Sequence, residues 1–377
     1  MRERAAFAVP FARPLVPPPA AWLPFLEASY ENRWFTNGGP VGARLERELE
    51  HRSAVTDREA VLVSSATAGL TATLLALGVE GAVAVPAFTF PASAHAVRLA
   101  GCRPVLCDVD PATWELTPAA AHAAVRDHGC TAIMHVRPFG FCRDLSGIER
   151  SARELGVPLV VDSAAAFGGT TDDGLPVGGA GDAEVFSFHA TKVFAVGEGG
   201  AVVADPALAA QIRRTINFSL SGTDVAGPGL NGKLSDMAAA VGLAMLRRLD
   251  EHIAVRRAAV ERLAKAVTGA AALPAAPGRP PWQGLPVLAP DRAARDAAVA
   301  ALHADGIEAR VYYAPGLHRT TAFAPFATAP LPVTDAICDR IVCLPVHSDL
   351  DGQALYDVAD AVSRAFGTVA APRALVG

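Results

Sequence analysis

Seven short apolar runs, spaced along the first two hundred residues, constrain what this chain can fold into more than any other feature. VLVS near Val61, AVAVP near Val83, PVLCDV near Val105, TAIMHV near Ile133, PLVVD near Val160, EVFSF near Val185 and GAVVAD near Val202 are rich in β-branched residues and too short for helices. Helical segments separate the first five, over Thr67–Leu77, Ala92–Leu99, Pro118–Asp127 and Leu145–Leu155. Strands that alternate with helices and stay apolar on both faces predict a mostly parallel, seven-stranded α/β sheet sandwiched by helices. The turn Gly197-Glu-Gly-Gly200 fits a tight connection better than a crossover helix, so an antiparallel last strand is admitted.

Around this unit, Pro40 to Arg52 reads as an amphipathic helix after a proline-rich arm. Leu234 to about Val267 reads as one long helix, alanine- and leucine-rich with arginines on its other face. AALPAAPGRPPWQGL then supplies breaker chemistry. A smaller C-terminal α/β domain with βαβ character is expected from LPVLAP, a helix near Arg292–Asp305, ARVYYAP and a last helix near Gln353–Phe366. The expected division is therefore a large domain with its arm over 1–245 and a small domain over 246–377.

Composition narrows the function. The 377 residues are 51% hydrophobic and 19% charged, which suits a large buried core. A formal charge of −5 argues against nucleic acid as the main partner, since backbone binding needs a basic face. The six cysteines form no CxxC pair and have no histidine at zinc-ligand spacing, so no metal site and no disulfide is expected. Arg2 and Arg4 precede an apolar run that prolines interrupt, which does not make a signal peptide. No uninterrupted apolar stretch is long enough for a membrane span, and the cytoplasm is the expected location.

Chemistry concentrates in Ser187-Phe-His-Ala-Thr-Lys192. A lysine after a buried strand feels desolvation, which lowers its pKa and frees a nucleophilic amine. Imine chemistry on a carbonyl needs such an amine, although a lysine snorkelling from a strand end would carry the same local pattern. Asp162 ends PLVVD, where open α/β sheets bind ligands; capping of the next helix is the plainer role. Ser64-Ser65-Ala66-Thr67 opens a helix directly after a strand, and free N–H groups with the helix dipole favour a phosphate. Phe88 and Phe90 stand at a strand end, where one of them could stack on a flat ring.

TNGGP at Thr36, SSATAGL at Ser64, PAFTFPASAHAV at Pro86, DVDPATWEL at Asp108, VVDSAAAFGG at Val160, FSFHATK at Phe186, GEGG at Gly197, LNGKLSD at Leu230 and YYAPGLH at Tyr312 follow one another in an order and spacing that resembles the DegT/StrS family of sugar aminotransferases. The wording is most similar to the branch that aminates nucleotide-linked 4-keto-6-deoxy sugars. The resemblance implies fold type I, pyridoxal 5'-phosphate as cofactor, an amino acid donor (glutamate) and a keto-sugar acceptor. It implies Lys192 as the Schiff-base lysine, Asp162 against the pyridine nitrogen, Phe90 on the ring, and Ala66, Thr67 and Ser187 around the phosphate. Asn231 is implied to reach the cofactor of a partner subunit, in a homodimer with shared sites. Phe35, Thr36, Arg137, His189, Lys233, Tyr313 and His318 are expected on the substrate side.

Three positions depart from the family pattern. Ala165 stands where Gln or His is usual, Val136-Arg-Pro-Phe-Gly140 brings in Arg137, and Tyr312-Tyr313 replaces a frequent His-Tyr. Relatives that dehydrate or deoxygenate sugars carry histidine in place of the lysine, so Lys192 favours transamination. Intact Lys192 and Asp162 also weigh against a catalytically quiet ligand sensor.

Overall fold

The computed structural model describes residues 7–53 and 56–367; Arg2, Arg4 and the last ten positions of the expected small domain lie outside the described residues. All seven apolar runs form strands of one sheet: β1 (Glu59–Val63), β2 (Ala82–Pro86), β3 (Arg103–Cys107), β4 (Cys130–Val136), β5 (Leu159–Asp162), β6 (Ala183–Ser187) and β7 (Gly200–Ala204). Their order is β1-β7-β6-β5-β4-β2-β3. Of the seven, β7 runs antiparallel to both neighbours, and the others are mutually parallel. The carboxyl ends of six strands therefore share one edge, where β7 begins.

Helices cover both faces. The amphipathic segment is α1 (Pro40–Ser53), followed by α2 (Ala66–Ala76), α3 (Pro91–Leu99), α4 (Pro118–His128), α5 (Ser146–Leu155) and α6 (Pro206–Thr215). Starts and stops follow capping rules. Ser65, Thr117 and Asp205 accept backbone N–H bonds at the starts of α2, α4 and α6. Gly129 and Gly156 end α4 and α5 at φ 64° and 66°, a conformation that costs other residues. One face of the sheet packs on α2, α3 and α6 through residues such as Leu70, Val97 and Ile212. The other face packs on α1 near β1 and on α4 and α5 near β3 and β4.

The expected single helix from Leu234 is two: α7 (Asp236–Leu246) and α8 (Leu249–Ala266). Arg248 leaves helical geometry at φ −115°, and Asp250 and Glu251 then place negative charge in the first turn of α8, which favours a fresh start there. The break lets α8 serve two cores. Leu249 and Ile253 pack with the sheet, while Ala259, Val260 and Leu263 join a second core.

That second core also holds a strand pair, β8 (Gly284–Leu288) with β9 (Ile341–Pro345), and the helices α9 (Arg292–Ala304) and α11 (Gly352–Gly367), with α10 (Pro332–Arg340) leading into β9. Here the βαβ expectation is corrected: β8 and β9 are antiparallel, and ARVYYAP contributes only a bridge from Arg310 to Cys343. Tyr312 and Tyr313 instead turn towards Phe11, Phe88 and Phe139, an aromatic cluster between the two cores. We propose that the chain divides at the α7–α8 break. Among the described residues no helix is long and apolar enough to cross a membrane.

Candidate active site

The register of the sheet gathers the chemistry. Ser187 at the end of β6 stands opposite Gly200 on β7, and Gly200 stands opposite Val63 on β1, the residue before Ser64. One strand further, Asp162 pairs with Val185 of β6 and Val136 of β4. Side chains two apart on a strand share a face, so Ser187 and Asp162 both point to the side covered by α2 and α3.

Asp162 is 5% exposed. Its Oδ2 accepts a 2.6 Å bond from Ser93 Oγ of α3, and its Oδ1 accepts the Ala164 N–H at 3.1 Å. Burial raises its pKa, against the lowering effects of Ser93, the Ala164 amide and Lys192. Lys192 acts on it only at longer range; among the described residues the two form no salt bridge. The Ala164 bond also fits the plainer capping role, but the second oxygen goes to a different helix, which capping does not require. A buried carboxylate held by neutral donors has room for a cationic partner.

Lys192 follows β6 in a loop pinned by Ala190 N to Gly197 O at 2.8 Å and Lys192 N to His189 O at 2.9 Å. Its Nζ donates to Gln283 Oε1 at 2.8 Å. Burial pushes the amine down to about 8, while Asp162 pulls it up and Arg256 pulls it down. Such an amine is partly neutral near physiological pH.

The start of α2 forms a cradle. Ser65 Oγ takes the N–H of Ala68, and Ala66 and Thr67 precede that bond. A Cβ on Gly200 would lie 3.0 Å from the Ala66 amide nitrogen and 2.5 Å from Phe186 O. Glycine therefore keeps the approach to the first free amide of the helix clear. With Ser187 Oγ opposite, the set suits a phosphate group. Phe90, at the entry of α3, is 56% exposed, whereas Phe88 is fully buried against Trp114 and Tyr313. Of the two, Phe90 has a ring face free for stacking. Phosphate cradle, free aromatic face, buried carboxylate and depressed lysine are the donor set that pyridoxal phosphate requires, so the residues present fit the group.

The remaining expected residues do not gather in one place. Tyr313 lies at the site wall, stacked on Phe139 with ring centroids 5.1 Å apart and meeting Phe90 edge-on at 6.5 Å. Phe35, Thr36, Asn231 and Lys233 collect beside β1: Asp236 N bonds Phe35 O, Gly232 O accepts from Ser64 N, and Lys233 bridges to Val63. Among the described residues, no hydrogen bond or ion pair links them to Lys192 or Asp162. Lys233 Nζ lies 4.8 Å from the ring centre of Phe218.

Arg137 and His318 each have a partner within the chain. Arg137 follows Val136, so it leaves the sheet on the face opposite Asp162, where its Nε meets Glu184 at 3.0 Å with both side chains buried. A substrate cannot claim that guanidinium without breaking a buried pair. His318 is buried and bonded to Asp335 at 2.8 Å, which commits its Nε2. His189 sits between Thr191, 2.9 Å from Nδ1, and Glu198, 3.7 Å from Nε2. At Ala165, a Cβ on Gly140 would come within 2.3 Å of the carbonyl oxygen, so the Arg137–Gly140 turn lies against this backbone. Ser93, Arg256 and Gln283 were not legible beforehand, because each meets the site through tertiary contact alone.

The model of the DegT/DnrJ/EryC1/StrS aminotransferase family matches residues 23–363 of this chain. Protein MT3510 of Mycobacterium tuberculosis is 37% identical over 369 residues, which cover 94% of this chain and 89% of that protein. A dTDP-4-amino-4,6-dideoxy-D-glucose transaminase of Shigella dysenteriae is 31% identical over 353 residues, 91% of this chain and 95% of the relative. The solved structure of DesI in the presence of its TDP-sugar product aligns with a TM-score of 0.87 and 33% identity over 97% of this chain and 96% of its own.

The depressed lysine is directly measurable. In full-length protein freed of cofactor, acylation of Lys192 should rise with pH through a midpoint of about 8, read by peptide mass spectrometry. A midpoint at the ordinary lysine value would mean that burial does not act on this amine.

Proposed function

The chain belongs to the DegT/DnrJ/EryC1/StrS aminotransferase family, and from that premise we propose that it moves an amino group from glutamate to a nucleotide-linked 4-keto-6-deoxy sugar. It is a pyridoxal 5'-phosphate-dependent aminotransferase of fold type I. The observation that carries the reading is the meeting at one sheet edge of a depressed Lys192 and a buried Asp162 whose oxygens are held by neutral donors. The acceptor class is supported by similarity to a transaminase of a dTDP-linked 4-amino-4,6-dideoxy sugar and to DesI, whose structure holds a TDP-sugar product.

In this reading Lys192 Nζ would hold the cofactor through its aldehyde, and Ala66, Thr67 and Ser187 would hold its phosphate at the start of α2. Phe90 would cover one ring face. Asp162 would keep a proton on the pyridine nitrogen, with Ser93 and the Ala164 amide fixing the orientation of its carboxylate. When bound, pyridoxal phosphate supplies a ring that takes up the electrons left as a proton leaves the donor's α carbon. The Lys192 amine would be placed to move that proton; its pKa of about 8 lies in the operating range of a general base.

Asn231, Lys233, Phe35 and Thr36 act, in this proposal, on the site of a partner subunit. Their place beside β1, without a bond to their own chain's lysine, is what supports it. Light scattering should then find a dimer wherever activity is found, and Asn231→Ala should weaken cofactor retention. A fully active monomer would contradict the shared site.

The function is tested by incubating purified protein and glutamate with a panel of keto-sugar nucleotides and reading products by mass spectrometry. Amination of a 4-keto-6-deoxy sugar nucleotide is expected. A glutamate half-reaction that runs while no nucleotide sugar is aminated would refute the acceptor class alone.

Asp162→Asn keeps size and loses charge. Charge-assisted bonds in a dry site contribute several kcal/mol, and each ~1.4 kcal/mol is tenfold in rate. The kcat of the glutamate half-reaction should fall by about a hundredfold or more, with donor KM little changed. Near wild-type turnover in stopped flow would show that Asp162 merely caps the following turn.

A further inference from the structure

We propose that Gln283 is a positioning residue for Lys192: its carboxamide, carried in from the C-terminal strand pair, holds the ε-amino group in place while the lysine is free of the cofactor. This rests on the reading of Lys192 given above.

The hydrogen bonds run in one direction. Lys192 Nζ can only donate when charged, so the 2.8 Å contact fixes Gln283 Oε1 as acceptor and turns Nε2 towards Thr191 Oγ1 at 3.3 Å. The reversed amide would set donor against donor. His189 Nδ1 accepts the Thr191 backbone N–H at 3.3 Å, so the Thr191 hydroxyl, 2.9 Å away, donates to the same nitrogen. That leaves the proton of His189 on Nε2, facing Glu198 at 3.7 Å. Lysine, glutamine, threonine and histidine thus form a chain of three hydrogen bonds that run in one direction. The amide also spans two consecutive residues, Thr191 and Lys192, which fixes the lysine relative to its own backbone.

Gln283 is itself rigidly placed. Arg256 of α8, 4% exposed, donates from Nη1 to Trp282 O at 2.9 Å and to Val346 O at 3.3 Å, and from Nε to Ser348 Oγ at 2.8 Å. One guanidinium therefore ties the residue before Gln283 to the end of β9. Trp282 takes φ 57°, and Gly284 then begins β8 with Phe11 against it. A lysine side chain has much rotamer freedom to lose, and an acceptor fixed in advance reduces the loss at the moment of proton transfer.

The charged groups that bear on the Lys192 amine are Asp162 from β5 and Arg256 from α8, with His189 reached through Thr191. Removing a neutral acceptor of the charged form should lower the amine's midpoint, and adding a negative one should raise it. In full-length protein stripped of cofactor, acylation of Lys192 is followed against pH by peptide mass spectrometry. Gln283→Met, of similar size without an acceptor, should lower the midpoint by about half a pH unit or more; Gln283→Glu should raise it by about one unit. In the loaded enzyme, Gln283→Met should reduce kcat about tenfold at nearly constant donor KM, because the lost contact belongs to the freed lysine. Midpoints within about 0.2 of wild type in both variants would overturn the proposal. If Gln283→Met fails to fold, Gln283→Glu decides alone. Borohydride reduction is the separate check on Lys192 itself: cofactor fixed on another peptide would refute that reading, whereas the midpoints answer for Gln283.

Discussion

A buried carboxylate that forms no salt bridge among the described residues is the constraint on which the rest of this structure depends. Asp162 is held at the end of β5 by a serine hydroxyl from α3 and one backbone amide. Neutral donors satisfy its lone pairs, but they do not cancel its charge, and a buried charge that lacks a partner costs several kcal/mol. In the proposed reading, a cationic ring nitrogen of the cofactor would offset that cost. In that reading the fold would spend stability on a site that the loaded enzyme recovers, an arrangement found where perturbed groups do chemistry.

The sheet topology makes the rest of the site possible. Six parallel strands end at one edge, so the start of α2, the entry of α3, Asp162 and Ser187 come from far apart in the chain to one place. The single antiparallel strand brings Gly200 between Ser187 and Val63, and its missing side chain keeps the α2 amides open. A crossover helix at this point would have returned the chain to the opposite edge. The short GEGG connection keeps it beside the lysine loop.

The C-terminal unit does more than close the molecule. The break between α7 and α8 puts Arg256 where it fixes the strand carrying Gln283, and Gln283 reaches the amine of Lys192. Two cores thus meet at one nitrogen. The aromatic cluster of Phe88, Trp114, Phe139 and Tyr313 fills the space between them with edge and stacked contacts.

The strands, their parallel arrangement and the positions of Lys192, Asp162 and the α2 cradle were all legible in the chain, because buried parallel strands are continuous apolar runs and the cradle is a local cap. Less local features were not. One helix read from composition is two, since the charged first turn of α8 outweighs propensity across Arg247 and Arg248. Ile341–Pro345, not among the expected elements, is a strand. Arg137 looked like a pocket cation, yet strand alternation turns it to a buried Glu184 on the other face. Ser93 lies 69 residues from the aspartate it holds, and Gln283 lies 91 residues from the lysine it meets. Periodicity and local capping are properties of neighbouring residues, so sequence determined most of the elements and the candidate groups. Which group faces which is set by register, face and crossover, and only the tertiary structure decided it.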